Sequence, residues 1–398
     1  MPKAADGVFS PGGPGLGREG ARAVGVLPPP RLVAWETTRA CNLACRHCRA
    51  EAAPKPATGE LDHAEAESLV RQIAAWKPAP ILILSGGEPL MRPDVFDLAS
   101  LARDLAVPAV LSTNGTLLDR SVCSEIKRTG IRRLSLSLDG PDPASHDAFR
   151  GVPGSYAALE DAAGLLRAEG IPFQINSTVT PENLRRAEDL LAATRALGAC
   201  AFHVFLLVPV GRAKDWDEAF PAPAVYEAAL RRLKALEPAM ELEFKATCAP
   251  QYRRIGLETG ASSPRSGKGC LGGQGFMFVG HNGVCGACGY LPLPAGNLRE
   301  QGIAEVYRDS PLFLALRDKG RYRGKCSVCE YWAVCGGCRA RAHAQGDFLG
   351  SEPLCPHLPK ALAGPGRETA CSSAASGRGT PLMESSPKQG QAAGRGQV

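Results

Sequence analysis

From Arg31 to about Met240 the chain alternates short, β-branched apolar runs with amphipathic stretches of helical period, six times over. That rhythm confines it to folds in which parallel strands are joined by helical crossovers. Strands are predicted at Leu32–Glu36, Ile81–Leu84, Ala109–Ser112, Arg133–Leu138, Phe173–Val179 and Phe202–Leu207. Helices are predicted at Asp62–Trp76, Asp94–Leu105, Arg120–Thr129, Tyr156–Ala168, Asn183–Leu197 and Ala222–Leu236. Crossovers of this kind are right-handed. Periodicity alone leaves an open doubly wound sheet and a barrel, complete or partial, equally available.

After Glu241 the texture changes. Ten of the 15 cysteines (248, 270, 285, 288, 326, 329, 335, 338, 355 and 371) lie there, among many glycines and only short apolar runs. The expected organisation is a tail over 1–30, an α/β core over 31–240, a small Cys-rich domain over 241–360 and a second tail over 361–398, both tails disordered by composition. Glycines 12, 13, 15 and 17 have no preceding strand, so they read as tail and not as a phosphate loop. Lys and Arg total 46 against 40 Asp and Glu, and the net +6 forms no concentrated basic stripe, which argues against a nucleic-acid partner. Apolar runs such as Val204–Val210 fall far short of the roughly 20 residues of a membrane helix. Met1–Pro30 lacks the apolar stretch of an export signal, so a soluble, cytoplasmic protein is expected, with no membrane partner. In a reducing compartment clustered cysteines are read as metal ligands or catalytic groups before disulfides.

Directly after the first predicted strand comes Thr37-Thr38-Arg39-Ala40-Cys41-Asn42-Leu43-Ala44-Cys45-Arg46-His47-Cys48. Three cysteines at x3 and x2 spacing on one loop can hold three corners of a cubane [4Fe–4S] cluster and leave the fourth iron open for chemistry. A zinc knuckle is the competing reading, but structural zinc takes four protein ligands and His47, between two of them, is badly placed to be the fourth.

This loop resembles the signature of the radical S-adenosylmethionine (SAM) superfamily, and the strand ends that follow match it in order over about Arg31–Leu207. Ser85-Gly86-Gly87-Glu88-Pro89 resembles its GGEP motif, and Ser112-Thr113-Asn114-Gly115 and Ser135-Leu136-Ser137-Leu138-Asp139-Gly140 follow at the third and fourth strands. The resemblance implies a partial (β/α)6 barrel, a [4Fe–4S] cluster on Cys41, Cys45 and Cys48 whose open iron binds SAM, and reductive cleavage to a 5′-deoxyadenosyl radical. It further implies that Gly86, Gly87 and Glu88 hold the methionine ammonium, that Ser137 and Arg150 meet its carboxylate, and that Thr113 and Asn176 lie near the ribose. A reductant such as ferredoxin or flavodoxin is implied as partner. Each residue alone could be an ordinary turn residue. His47 stands where the superfamily usually has an aromatic ring.

Cys270, then Gly283 after twelve intervening residues, then Cys288, followed by Cys326-x2-Cys329-x5-Cys335-x2-Cys338 and Cys355, resembles the SPASM extension of these enzymes, a carrier of one or two auxiliary Fe–S clusters. By that analogy Cys326, Cys329, Cys335 and Cys355 bind an outer cluster, and Cys270, Cys288 and Cys338 an inner one, for which no fourth ligand is evident. The last internal gap is two residues where three is commonest. Taken in isolation, a zinc ribbon from 326, 329, 335 and 338 and a Cys335–Cys338 redox pair are the other readings. Phe276-Met277-Phe278 occupies a stretch where related proteins often carry Cys.

Further strings, among them Gln174-Ile175-Asn176-Ser177-Thr178, Lys245-Ala246-Thr247-Cys248-Ala249-Pro250 and Cys288-Gly289-Tyr290-Leu291-Pro292, resemble the haem synthases of the siroheme-dependent pathway over about Arg31–Pro359. That resemblance implies an Fe-porphyrin substrate, Fe-coproporphyrin III, with two propionates oxidatively decarboxylated to vinyls. Lys245, Arg212 and His281 are candidate cations for the propionates, with surface ion pairs as the plainer reading of the first two, and His203 is a candidate cavity residue. Other tetrapyrrole-modifying enzymes, acting on didecarboxysiroheme or in haem d1 synthesis, and peptide-modifying maturases are the alternatives; a 30-residue Gly/Pro head is a poor peptide-recognition module.

Overall fold

The structure is a computed structural model and describes residues 27–216, 220–261 and 267–363; most of both predicted tails, the early glycines and Cys371 lie outside them. All six predicted strands form: β1 (Leu32–Glu36), β2 (Ile81–Ser85), β3 (Ala109–Ser112), β4 (Leu134–Ser137), β5 (Phe173–Val179) and β6 (Ala201–Leu206). They are parallel and lie in sequence order. Two strands from beyond Met240 extend the same sheet. β7 (Glu243–Thr247) pairs parallel with β6, and β8 (Phe276–Val279) pairs parallel with β1 at the opposite side. β9 (Val284–Gly286) and β10 (Gly296–Asn297) then continue it antiparallel. The order is β10-β9-β8-β1-β2-β3-β4-β5-β6-β7, and no pairing among the described residues joins the two ends.

The strands carry two faces. Val33, Trp35, Leu82, Leu84, Leu111, Leu134, Leu136 and Val204 are buried against the helices, at about 1.5–3 kcal/mol for each large apolar side chain. The alternate positions, Ser112, Ser135, Ser137, Gln174, Asn176, Thr178, His203 and Lys245, line a cavity of about 570 Å³ on the other face. A doubly wound sheet would cover both faces with helices and read apolar on both. This sheet curls around a polar interior as a partial barrel.

The crossover helices are α1 (His63–Ala74), α2 (Val95–Asp104), α3 (Arg120–Thr129), α4 (Pro143–Arg150), α5 (Ser155–Ala168), α6 (Pro181–Leu184), α7 (Ala187–Ala196) and α8 (Pro223–Leu236). Their ends follow local chemistry. Asp62 and Glu65 form a capping box on α1, and Asp119 caps α3, which closes on left-handed Gly130. The single helix predicted over Asn183–Leu197 is two. Asn183 donates to the carbonyls of Asp139 (2.8 Å) and Thr178 (2.9 Å) and accepts from the Thr180 N–H (2.8 Å), tying the first turn to the strand loops before the chain restarts at Ala187. α4, which the sequence reading passes over, begins at Asp142-Pro143 and ends at left-handed Gly151.

The Cys-rich part adds α9 (Gln251–Glu258), α10 (Ile303–Asp309), α11 (Pro311–Arg317), α12 (Gly324–Val328) and α13 (Arg339–Ala344). Its outer portion packs on a small apolar cluster of Ala315, Tyr322 and Leu349 with Trp332 and Phe348. Among the described residues no helix is long and apolar enough to cross a membrane.

Candidate functional site

The loop after β1 turns back on itself through backbone pairing, with Cys41 N–H donating to Ala53 O at 2.7 Å and Ala53 N–H to Arg39 O at 3.1 Å. The turn after β2 lies directly on it: Gly87 N–H donates to Thr38 O and Glu88 N–H to Ala40 O, both at 2.7 Å. A side chain at Gly86 would place its Cβ 2.4 Å from Thr38 O, and one at Gly87 would meet Ala40 O at 2.3 Å. The paired glycines are therefore what lets the two loops touch.

Above them, at the carboxyl ends of the strands where open α/β sheets bind ligands, is a cavity of about 160 Å³. It brings together Cys41, Cys45, Cys48, Gly86, Gly87, Thr113, Ser137 and Arg150. Asn176 borders the adjoining 570 Å³ cavity, which shares His47, Ser137 and Arg150 with the first. Glu88 stands behind the wall, fully buried. Its carboxylate accepts from Thr113 Oγ1 (2.7 Å), Asn114 N–H (2.7 Å) and Leu90 N–H (3.1 Å), and burial pushes its pKa up to about 7.

The three loop thiols each face an N–H group: Leu43 N–H at 3.5 Å and Asn114 Nδ2 at 3.9 Å from Cys41, Arg150 Nη1 at 3.7 Å from Cys45, Ala52 N–H at 3.4 Å from Cys48. Arg150 is fixed by Asp139 at 2.6 Å, and Asp139 in turn accepts the Thr178 N–H at 2.6 Å. His47 packs on Phe149, ring centroids 4.6 Å apart, and burial holds its imidazole well below the usual range. Arg49 is held by Glu36 at 2.7 Å, and Glu36 also takes His281 at 2.8 Å.

The distant cysteines fall into two groups. Cys326, Cys329, Cys335 and Cys355 line one small cavity, with Glu352 N–H (3.4 Å) and Arg339 Nη2 (3.5 Å) on Cys326 and Gly337 N–H (3.5 Å) on Cys335. Cys270, Cys288 and Cys338 line the far end of the 570 Å³ cavity. Cys335 and Cys338 thus face different cavities, which removes the redox-pair reading. A single zinc with Zn–S bonds of about 2.3 Å would draw its sulfurs to about 3.8 Å. Among the described residues the one group of three or more metal-ligating atoms within 4.8 Å of one another is Cys329, Glu330 and His357. No three of the cysteine sulfurs lie within 4.8 Å of one another among the described residues, so none of the cysteine sets is gathered around a single ion. Burial pushes Cys41 up to about 11 and Cys288 up to about 12, a cost removed when a bound cation shares the thiolate charge.

Of the three cation candidates, Lys245 lines the large cavity and Arg212 the small one, with Arg212 Nη1 3.2 Å from Ala52 O. His281, taken by Glu36, borders neither. His203 lines the large cavity and pairs with Gln174 at 2.9 Å, and burial lowers it to about 4. Met277 is wholly buried on the helix-facing side of β8, while Phe276 and Phe278 face the cavity. Residues the sequence reading does not single out are Asp139, Arg49, Tyr290 on both cavities, and Cys248 at the inner cysteines. All four sit in or beside quoted strings, but only their surroundings mark them.

Residues 35–193 match the radical SAM superfamily and residues 270–331 the iron–sulfur cluster-binding SPASM domain. An AdoMet-dependent heme synthase of Nitratidesulfovibrio vulgaris is 44% identical over 347 residues, 84% of this chain and 94% of that protein. Another from Methanosarcina barkeri is 44% identical, covering 83% of this chain and 97% of its own length. In fold the chain is similar to Streptococcus suis SuiB bound to S-adenosylmethionine, with a TM-score of 0.66 at 17% identity over 83% of this chain and 78% of that one.

Proposed function

The chain belongs to the radical SAM family with a SPASM domain, in company with the AdoMet-dependent heme synthases, and on that premise we propose that it oxidatively decarboxylates two propionates of Fe-coproporphyrin III to vinyl groups, forming haem b. Its cofactors are a [4Fe–4S] cluster, SAM and auxiliary Fe–S clusters. In the proposed assignment Cys41, Cys45 and Cys48 hold the first cluster, and Gly86, Gly87, Thr113, Ser137, Arg150 and Asn176 surround SAM. Once bound, these groups supply a 5′-deoxyadenosyl radical, strong enough to remove an unactivated propionate β-hydrogen.

The observation that carries the reading is the large cavity between the two cysteine regions. It touches the SAM-side residues His47, Ser137 and Arg150 at one end and the inner cysteines at the other. Its walls combine Phe205, Phe276, Phe278 and Tyr290 with the polar row Ser137, Asn176, His203 and Lys245, neighbours in register across β4 to β7. Flat apolar rings and acidic arms need such a mixture. Arg49, Arg133 and Arg150 are neutralised by Glu36, Glu243 and Asp139. Lys245 makes no ion pair among the described residues, and burial with the nearby Arg253 charge holds its pKa below the usual value. A propionate arriving there would satisfy a cation that the fold leaves unmatched.

Each arm must lose one hydrogen atom, which would pass to the 5′-deoxyadenosyl radical, then CO2 and one further electron, for which an auxiliary Fe–S cluster would be the acceptor, to become vinyl. Two arms therefore consume two SAM, and a low-potential reductant such as ferredoxin or flavodoxin belongs to the proposal. Anaerobic reconstitution with SAM and Fe-coproporphyrin III should give sequential loss of the elements of formic acid from each arm by mass spectrometry, through a monovinyl intermediate. A chain that leaves Fe-coproporphyrin III unchanged while altering didecarboxysiroheme or a peptide would overturn the substrate and leave the family membership standing.

A further inference from the structure

The SPASM pattern supplies three inner cysteines, and the fold brings a fourth thiol to them. Cys248 follows β7 directly and lines the same cavity as Cys270, Cys288 and Cys338. The thiol charges that bear on it are those of Cys338, Cys288 and Cys270, while Cys288 feels Cys270 and Cys338, and Cys338 feels Cys270. The four form one mutually interacting set, although Cys248 stands far upstream of the pattern and outside its spacing.

The backbone at Cys248 is unusual. Its φ of +54° lies in the left-handed region, rare for a residue with a side chain. Such a conformation persists where the surroundings dictate it, and it concentrates at functional positions. Here the Cys248 carbonyl accepts from Arg341 Nη2 at 2.6 Å and from Tyr226 Oη at 3.5 Å. Arg341 is itself pinned by Glu352 at 2.8 Å. The rival in sequence, Cys285, is excluded by position: its thiol faces Gly283 O at 3.8 Å inside the apolar core and borders none of the three cavities.

We propose that Cys248 is the fourth thiolate ligand of the inner auxiliary [4Fe–4S] cluster, completing a Cys248, Cys270, Cys288 and Cys338 set. Every iron of that cluster then has a protein ligand, so a substrate carboxylate has no open iron to bind there and must be met by side chains such as Lys245. This ligand set is the same whatever substrate occupies the cavity.

The test uses the full chain with Cys41, Cys45 and Cys48 replaced by Ala, so that only auxiliary clusters contribute, reconstituted anaerobically. Iron and sulfide analysis and low-temperature EPR are the readouts. With Cys248 present, added cyanide should leave the reduced spectrum unchanged, because no iron is open. Adding Cys248→Ala should remove about four iron atoms per chain, or yield a new [3Fe–4S] signal on mild oxidation, while Cys285→Ala in its place keeps full iron. Unchanged iron, sulfide and spectra in Cys248→Ala would overturn the assignment. So would a cyanide-dependent spectral change in the protein that retains Cys248, a measurement that does not require the variant to fold.

Discussion

Replacing Arg341 by Met tests how the Cys-rich region is clamped to the barrel. Arg341 and Glu352 are each 1% exposed and meet at 2.8 Å. The same guanidinium reaches Tyr226 Oη at 3.1 Å on α8 and Cys248 O at 2.6 Å after β7, so one side chain of α13 fastens α8 and the end of β7, the edge strand of the sheet. Methionine fills much of the volume but leaves Glu352 charged and buried, with Gln251 as its remaining side-chain partner. Removing one member of a buried pair costs about 3–5 kcal/mol. At about 1.4 kcal/mol per factor of ten, local opening should rise roughly 100- to 4,000-fold. Anaerobic hydrogen exchange should show that loss of protection in segments 248–258 and 339–355 and much less in α1 to α3. Arg341→Met combined with Glu352→Gln should recover part of it, since no unpaired charge remains. Unchanged protection in the single variant, or a double variant as exposed as the sum of both singles, would refute the clamp.

Four further outcomes follow from the site. Ala at Cys41, Cys45 and Cys48 together should abolish 5′-deoxyadenosine formation while auxiliary iron remains; retained SAM cleavage would rule out that loop as the first cluster's. Burial raises Glu88 from 4.5 to about 7, so the unfolded chain ionises first and wild-type stability falls as pH rises from about 4.5 to 7, by roughly 3 kcal/mol, and levels off above that. Glu88→Gln should lack that component and weaken SAM binding through the loop it anchors while holding its iron; an identical pH profile, or unchanged SAM affinity, would contradict the buried-acid reading. Lys245→Met should raise the KM for Fe-coproporphyrin III roughly 10- to 100-fold, as for a lost charged hydrogen bond, with SAM binding unchanged; an unaltered KM would show that the propionates lie elsewhere. Ala at Cys326, Cys329 and Cys335 should spare part of SAM cleavage and impair haem formation, and a normal haem yield from iron-depleted protein would remove that cluster from the reaction.

The strands of the barrel were legible because each pairs a buried apolar face with short length and a clear boundary, as Ile81–Ser85 and Phe173–Val179 illustrate. β7 was not, because its inward residues are charged: Glu-Phe-Lys-Ala-Thr reads as a polar connector until Lys245 is seen opposite His203. β8 escaped because Phe276–Val279 is four residues between glycines and finds its partner, β1, at the far end of the sequence. At the site, spacing located the cysteines Cys41, Cys45 and Cys48 and the glycine turn that lies on them. Spacing could not show that Glu88 turns away from the cavity to hold Thr113 and Asn114, nor that His281 is spent on Glu36.

Cys248 was unreadable for a further reason, and that reason bears on how the barrel is held. The sheet is open, with β7 at one end and β10 at the other. Among the described residues no strand pairing crosses that gap, which is spanned by side-chain contacts such as Arg341 on the Cys248 carbonyl. The inner cysteines come from both sides of it: Cys248 from the end of β7, Cys270 and Cys288 from the segments flanking β8 and β9, and Cys338 from the start of α13. A ligand set drawn this way cannot announce itself as a local motif, since its members become neighbours only when the sheet has curled. The same arrangement makes the proposed cluster a cross-link over the open side of the barrel, closing the cavity wall that Lys245 and Tyr290 share. Loading the metal would then favour the curled sheet over the open one, as binding to the folded form alone always does.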